Sequence, residues 1–127
     1  MRALVDLAIT ETNQAYLSSG INTQLRLVHA YRHPTYTETS SDAFTNALDD
    51  VTYNNMGGVH AARDLYGADI VALLITDDEL CGLGWLMPDD IDKDLMYSVT
   101  SYDCVAGQYT LGHEIGHNFV SSPVDCP

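Results

Sequence analysis

Between Asp69 and Thr76 the chain reads Ile-Val-Ala-Leu-Leu-Ile, an unbroken apolar run that constrains the fold more than any other segment. A strand with no polar face has none to offer solvent. Residues 69–76 are therefore expected to form a strand buried on both faces, in the middle of a sheet. The other segments read around it. Residues 2–19 carry Leu4, Leu7, Ala8, Ala15 and Tyr16 at helical spacing, and Gly20 supplies a stop. Residues 23–32 alternate apolar and polar side chains and predict a second strand, which Pro34 ends. Ser41 or Asp42 is placed to cap a short helix through Leu48. Val59 to Tyr66 predicts a further helix closed by Gly67. Cys81 to Met87 reads as a short edge strand containing glycines, residues 88–94 as an acidic loop, Tyr97 to Tyr102 as a strand, and Gly107 to Phe119 as the last helix. Together these give an α/β (α+β) fold with a mixed sheet and helices, in one domain spanning 1–127 with an irregular tail at 120–127.

Composition matters chiefly through charge. Eighteen acidic residues against five Lys+Arg give a formal net charge of −13, and the basic residues are scattered. Such a surface repels a phosphate backbone, so no nucleic-acid partner is expected. No stretch approaches the length of a membrane-spanning helix, and no membrane association is expected. The apolar start is broken by Asp6 and Glu11, so residues 1–20 do not read as a signal peptide. The acidic stretches Asp77–Glu79 and Asp89–Asp94 match no calcium-loop spacing and read as solvated loops.

Three cysteines cannot all pair within one chain. Cys81 and Cys104 each flank a predicted strand and could bridge in an oxidising compartment. Cys126 would then remain as a free thiol, an intermolecular partner that makes an oligomer, or a metal ligand.

The segment Leu111-Gly112-His113-Glu114-Ile115-Gly116-His117-Asn118 carries the chemistry. Two histidines four apart on a helix stand one turn above each other, so both imidazoles can reach one Zn²⁺. Glu114 lies about 100° round the helix from His113 and can act as general base toward a zinc-activated water. Gly112 and Gly116 flank the ligands, and each costs about 1 kcal/mol against alanine in a helix. Close packing around a site would account for both.

The run His113 to Phe119 resembles the zinc helix of the metzincin peptidases, in particular the reprolysin (adamalysin)-like branch and its peptidyl-Asp metallopeptidase relatives. The opening helix, the segment Leu25 to His29, Tyr66 to Val71 and Cys81 to Met87 are similar too. The resemblance implies a metzincin-like N-terminal subdomain with a twisted mixed sheet, and a secreted zinc metalloendopeptidase acting on peptide or protein substrates. It implies that Gly82, Leu83, Gly84, Trp85 and Leu86 form an edge strand that binds extended substrate, and that Cys81 and Cys104 are disulfide-linked.

The sequence also departs from that pattern. The family places a glycine three residues after the second histidine and a third histidine at the sixth, where this chain has Val120 and Pro123. Asp125 and Cys126 are the substitute ligand candidates, since carboxylate and thiolate both bind zinc. The chain therefore reads as an apparently truncated member. The alternative is a non-catalytic derivative, a pseudo-peptidase or binding module without the third ligand. His29, His33 and His60 are expected to be structural or solvent-exposed.

Overall fold

The apolar run does form a strand, β1 (Val71–Ile75), but it is not in the middle. In the computed structural model, which describes residues 2–87, 92–107 and 109–118, the sheet has the order β1-β3-β2. β3 (Tyr97–Ser101) runs parallel to β1, in the register Val71 to Tyr97 through Ile75 to Ser101. β2 (Gly82–Gly84) pairs antiparallel with the other side of β3, Gly82 opposite Thr100 and Gly84 opposite Ser98. The central strand is thus Tyr-Ser-Val-Thr-Ser, all five residues buried, whereas Ala72 of β1 is exposed. Continuous apolarity reports that both faces of a strand are covered by helices. It says nothing about which neighbours lie beside it, and that is why the expected central place went to a more polar strand.

Both faces of the sheet carry helices, but within β1 only Ile75 is fully buried, so the expected burial on both faces is incomplete. Side chains alternate across a strand, so Val71, Leu73 and Ile75 of β1 and Tyr97 and Val99 of β3 share one face. There they meet Ala43, Phe44, Ala47, Leu48 and Val51 of α2 (Ala43–Thr52), together with Met56 and Val59 at the start of α3 (Val59–Tyr66). The opposite face carries Leu74, which packs in a second cluster with Ala8 of α1 (Arg2–Ser18) and Leu111 and Ile115 of α4 (Thr110–His117). On that face β3 contributes only Ser98 and Thr100, and β2 only its two glycines, so α4 can come close.

Four expectations need correction. Residues 23–32 form no strand. Leu25 N–H donates to Asn13 Oδ1 at 2.6 Å and Leu25 C=O accepts from Asn13 Nδ2 at 3.0 Å. An α1 side chain has taken the hydrogen-bonding groups that a strand neighbour would need, while Leu25 itself packs in the second cluster. Asp42 stands at the start of α2 with φ 53°, and its side chain makes no capping hydrogen bond. Instead Asn46 Nδ2 reaches back to Thr39 Oγ1 and to the carbonyl of Ser41. α2 also continues past Leu48 to Thr52, because Val51 and Thr52 still fall on its buried face. α3 ends at Tyr66 as expected, with Gly67 left-handed at φ 64°. The last helix begins at Thr110 rather than Gly107.

Cys81 and Cys104 are disulfide-bonded, tying the start of β2 to the turn after β3. Among the described residues no helix is long and apolar enough to cross a membrane. The expected acidic loop at 88–94 falls partly, and the tail at 120–127 wholly, outside the described residues.

Candidate metal centre

α4 is oriented by its apolar face. Leu111 and Ile115 are buried against Ala8, and Gly112 lies so close to α1 that a Cβ there would be 2.9 Å from Thr12 Cγ2. Tyr16 Oη also donates to the carbonyl of Gly112 at 3.3 Å. With that face fixed, helical spacing turns His113 and His117 to the free side: His113 is exposed and His117 half-buried. Their ring centroids lie 4.6 Å apart at 81°, one ring's edge toward the other's face. The close packing expected of both glycines holds for Gly112 alone, since a Cβ on Gly116 would meet nothing within 4 Å.

Glu114 points neither to solvent nor into the apolar core. It is 6% exposed and lies over β2, against Gly82 and Gly84. Its Oε2 is 4.0 Å from His117 Nε2. One ligand atom from each of His113, Glu114 and His117 lies within 4.8 Å of the others, close enough to surround one cation. Burial pushes the Glu114 carboxyl up from 4.5 to about 7. Burial, and then the neighbouring His113, hold the His117 imidazole below its ordinary value. Both influences favour the neutral ring, the form that binds a metal. Two imidazole nitrogens beside a carboxylate are a donor set suited to zinc.

The segment 82–86 divides by side-chain direction. Gly82 and Gly84 face Glu114, while Leu83 packs in the α2-side core. Trp85 packs there too and donates its indole N–H to Thr52 Oγ1 at 2.9 Å. Leu86 is exposed. One side of β2 is taken by β3, and the other has no ladder partner among the described residues. Asp125 and Cys126 lie outside the described residues. The three other histidines serve the scaffold: His60 Nε2 is 2.8 Å from the Val51 carbonyl, His33 Nε2 is 2.9 Å from the Gly57 carbonyl, and His29 stacks on Tyr66.

Sequence reasoning assigned no role to Asn118, the residue after the second histidine. It is fully buried, and its Nδ2 donates to the carbonyls of Trp85 at 3.0 Å and Leu95 at 3.4 Å. It thereby clamps the end of α4 to the chain leaving β2. The available signal was an amide at a helix end, but its partners are remote in sequence.

A family model described as metallo-peptidase family M12B, reprolysin-like, matches residues 3–122. The chain belongs to this family. Reprolysin-like similarity therefore extends through both the scaffold and the His-Glu-His helix. A peptidyl-Asp metalloendopeptidase of Xanthomonas campestris pv. campestris is 33% identical over 122 residues, which cover 92% of this chain and 28% of that protein. One from Stenotrophomonas maltophilia is 32% identical over 120 residues, with 92% and 28% covered. One from Pseudomonas aeruginosa is 34% identical over 125 residues, with 84% and 19% covered. The chain thus spans little more than a quarter of the length of these relatives at most. No solved structure matches it.

Proposed function

We propose that this reprolysin-like chain carries the metal-binding half of a secreted zinc metalloendopeptidase. The observation that carries the reading is the convergence of His113, Glu114 and His117 ligand atoms within 4.8 Å, beside a strand whose outer edge has no ladder partner among the described residues. His113 and His117 hold the metal through neutral imidazoles. Zinc, when bound, supplies a Lewis acid that activates water and polarises the scissile carbonyl. Glu114 is the general base: its carboxylate is held beside the two imidazoles, where it can accept a proton and return it. The open edge of β2 takes an extended peptide by main-chain pairing, with Leu86 at its exposed end. Naming of the relatives as peptidyl-Asp metalloendopeptidases supports a peptide or protein substrate. The Cys81–Cys104 bridge supports an oxidising, extracellular setting.

Elemental analysis of the purified chain, native and His117→Ala, tests the reading together with a peptide-cleavage assay. About one zinc per chain, lost in the variant, and cleavage abolished by a chelator are expected. Substoichiometric zinc that the substitution leaves unchanged would remove the basis for the hydrolase assignment.

A further inference from the structure

Gly82 and Gly84 sit in a strand, where glycine weakens pairing and offers nothing to pack. Neither has a left-handed backbone, so neither glycine is there to permit an unusual turn. Space is the remaining reason, and the two positions need it differently. A Cβ on Gly84 would lie 2.8 Å from the backbone oxygen of Glu114, so Gly84 sets how closely α4 can approach the sheet. The three atoms nearest a Cβ on Gly82 would instead all belong to the Glu114 side chain: Cγ at 2.5 Å, Cδ at 2.8 Å and Oε1 at 2.8 Å. Thr100, opposite Gly82 on β3, is fully buried and stands beside it on the same face.

We infer that Gly82 is a positioning residue for Glu114: the missing side chain at 82 is the seat that holds the carboxylate over β2, beside the two imidazoles. This rests on the reading of Glu114 as the base. The seat belongs to the strand proposed to pair with substrate, so one three-residue element would align both the peptide and the proton acceptor. Filling the seat has a specific consequence. The obstructed atoms belong to a flexible side chain, so the cheapest relief is rotation of Glu114 into solvent, with α4 and both histidines left in place. Filling the space at Gly84 allows no such escape, because the obstructed atom is backbone.

The test compares Gly82→Ala with the native protein by water-soluble carbodiimide labelling of metal-free chain, read at Glu114 by mass spectrometry against the exposed Glu79. Native Glu114 should be protected and the variant's should label as readily as Glu79. The variant should keep the native zinc content while kcat falls about a hundredfold, the scale of an ångström misplacement. A protected Glu114 in folded Gly82→Ala, or a kcat unchanged by it, overturns the inference. If Gly82→Ala does not fold, the same substitution in a Glu114→Ala background decides. Folding restored there, and not restored for Gly84→Ala in that background, supports the seat; unfolding of Gly82→Ala in both backgrounds overturns it. Native cleavage by Glu114→Gln would instead sink the reading of Glu114 as base, and the labelling and folding outcomes would still decide the seat.

Discussion

At the scale of single residues, Glu114 and Asn118 have opposite kinds of work. Glu114 is buried over β2, and burial is what raises its carboxyl. Removing its proton-accepting capacity while keeping its shape should therefore cost chemistry and leave the fold intact. Glu114→Gln is expected to lower kcat by about two to four orders of magnitude, with zinc content unchanged, as checked by steady-state kinetics and elemental analysis. Asn118 holds two carbonyls from segments distant in sequence. Asn118→Ala would leave the carbonyls of Trp85 and Leu95 without this donor, at a cost of about 2 kcal/mol in urea unfolding.

Among elements, α4 shows how two glycines with the same sequence environment separate in space. Gly116 borders open space, so Gly116→Ala should stabilise the helix by about 0.5–1 kcal/mol through propensity alone. Gly112 is pressed against Thr12 of α1, so Gly112→Ala should destabilise by about 1–3 kcal/mol despite the same propensity gain. Thermal melts of the two variants read the opposite signs directly. The β2 and β3 ends are joined by the Cys81–Cys104 bridge, across a sequence separation of 23. Cutting it with a Cys81→Ala/Cys104→Ala pair should cost about 3 kcal/mol, most of it as regained entropy of the unfolded chain. Unfolding of the native and double-variant proteins under identical conditions measures that difference.

For the whole molecule, one pH-sensitive contact joins the loop before α2 to the end of β1. Burial tends to raise the Glu38 carboxyl. Hydrogen bonds from Thr76 N–H, Thr76 Oγ1–H and Asp77 N–H outweigh it and leave the pKa below 4.5. A carboxylate whose folded pKa is depressed contributes stability above its unfolded value and loses it as pH falls through the folded one. The stability difference between native chain and Glu38→Gln should thus be constant above about pH 4.5 and shrink toward zero below it. Chemical unfolding at a series of pH values would show this, and a difference that persists unchanged in acid would refute it.

Much of this arrangement was legible in the residues. The helices at Val59–Tyr66 and Arg2–Ser18 follow from periodicity and glycine stops, and the placing of His113 and His117 on one helix face follows from helical spacing alone, because these are local geometric facts. The disulfide came from cysteine position and family resemblance, and it is formed. What the sequence could not fix is anything that depends on a neighbour distant along the chain. The lateral order of the strands placed polar β3 at the centre and apolar β1 at an edge. Within the expected strand at 23–32, the backbone N–H and C=O of Leu25 are taken by Asn13, an α1 side chain. The close approach of Glu114 to Gly82 and Gly84 and the clamp of Asn118 also join segments more than twenty residues apart. The sequence by itself determined which side chains share a helix face. Only the tertiary structure decided what those faces meet, since hydrogen-bond partners and close approaches belong to pairs of elements.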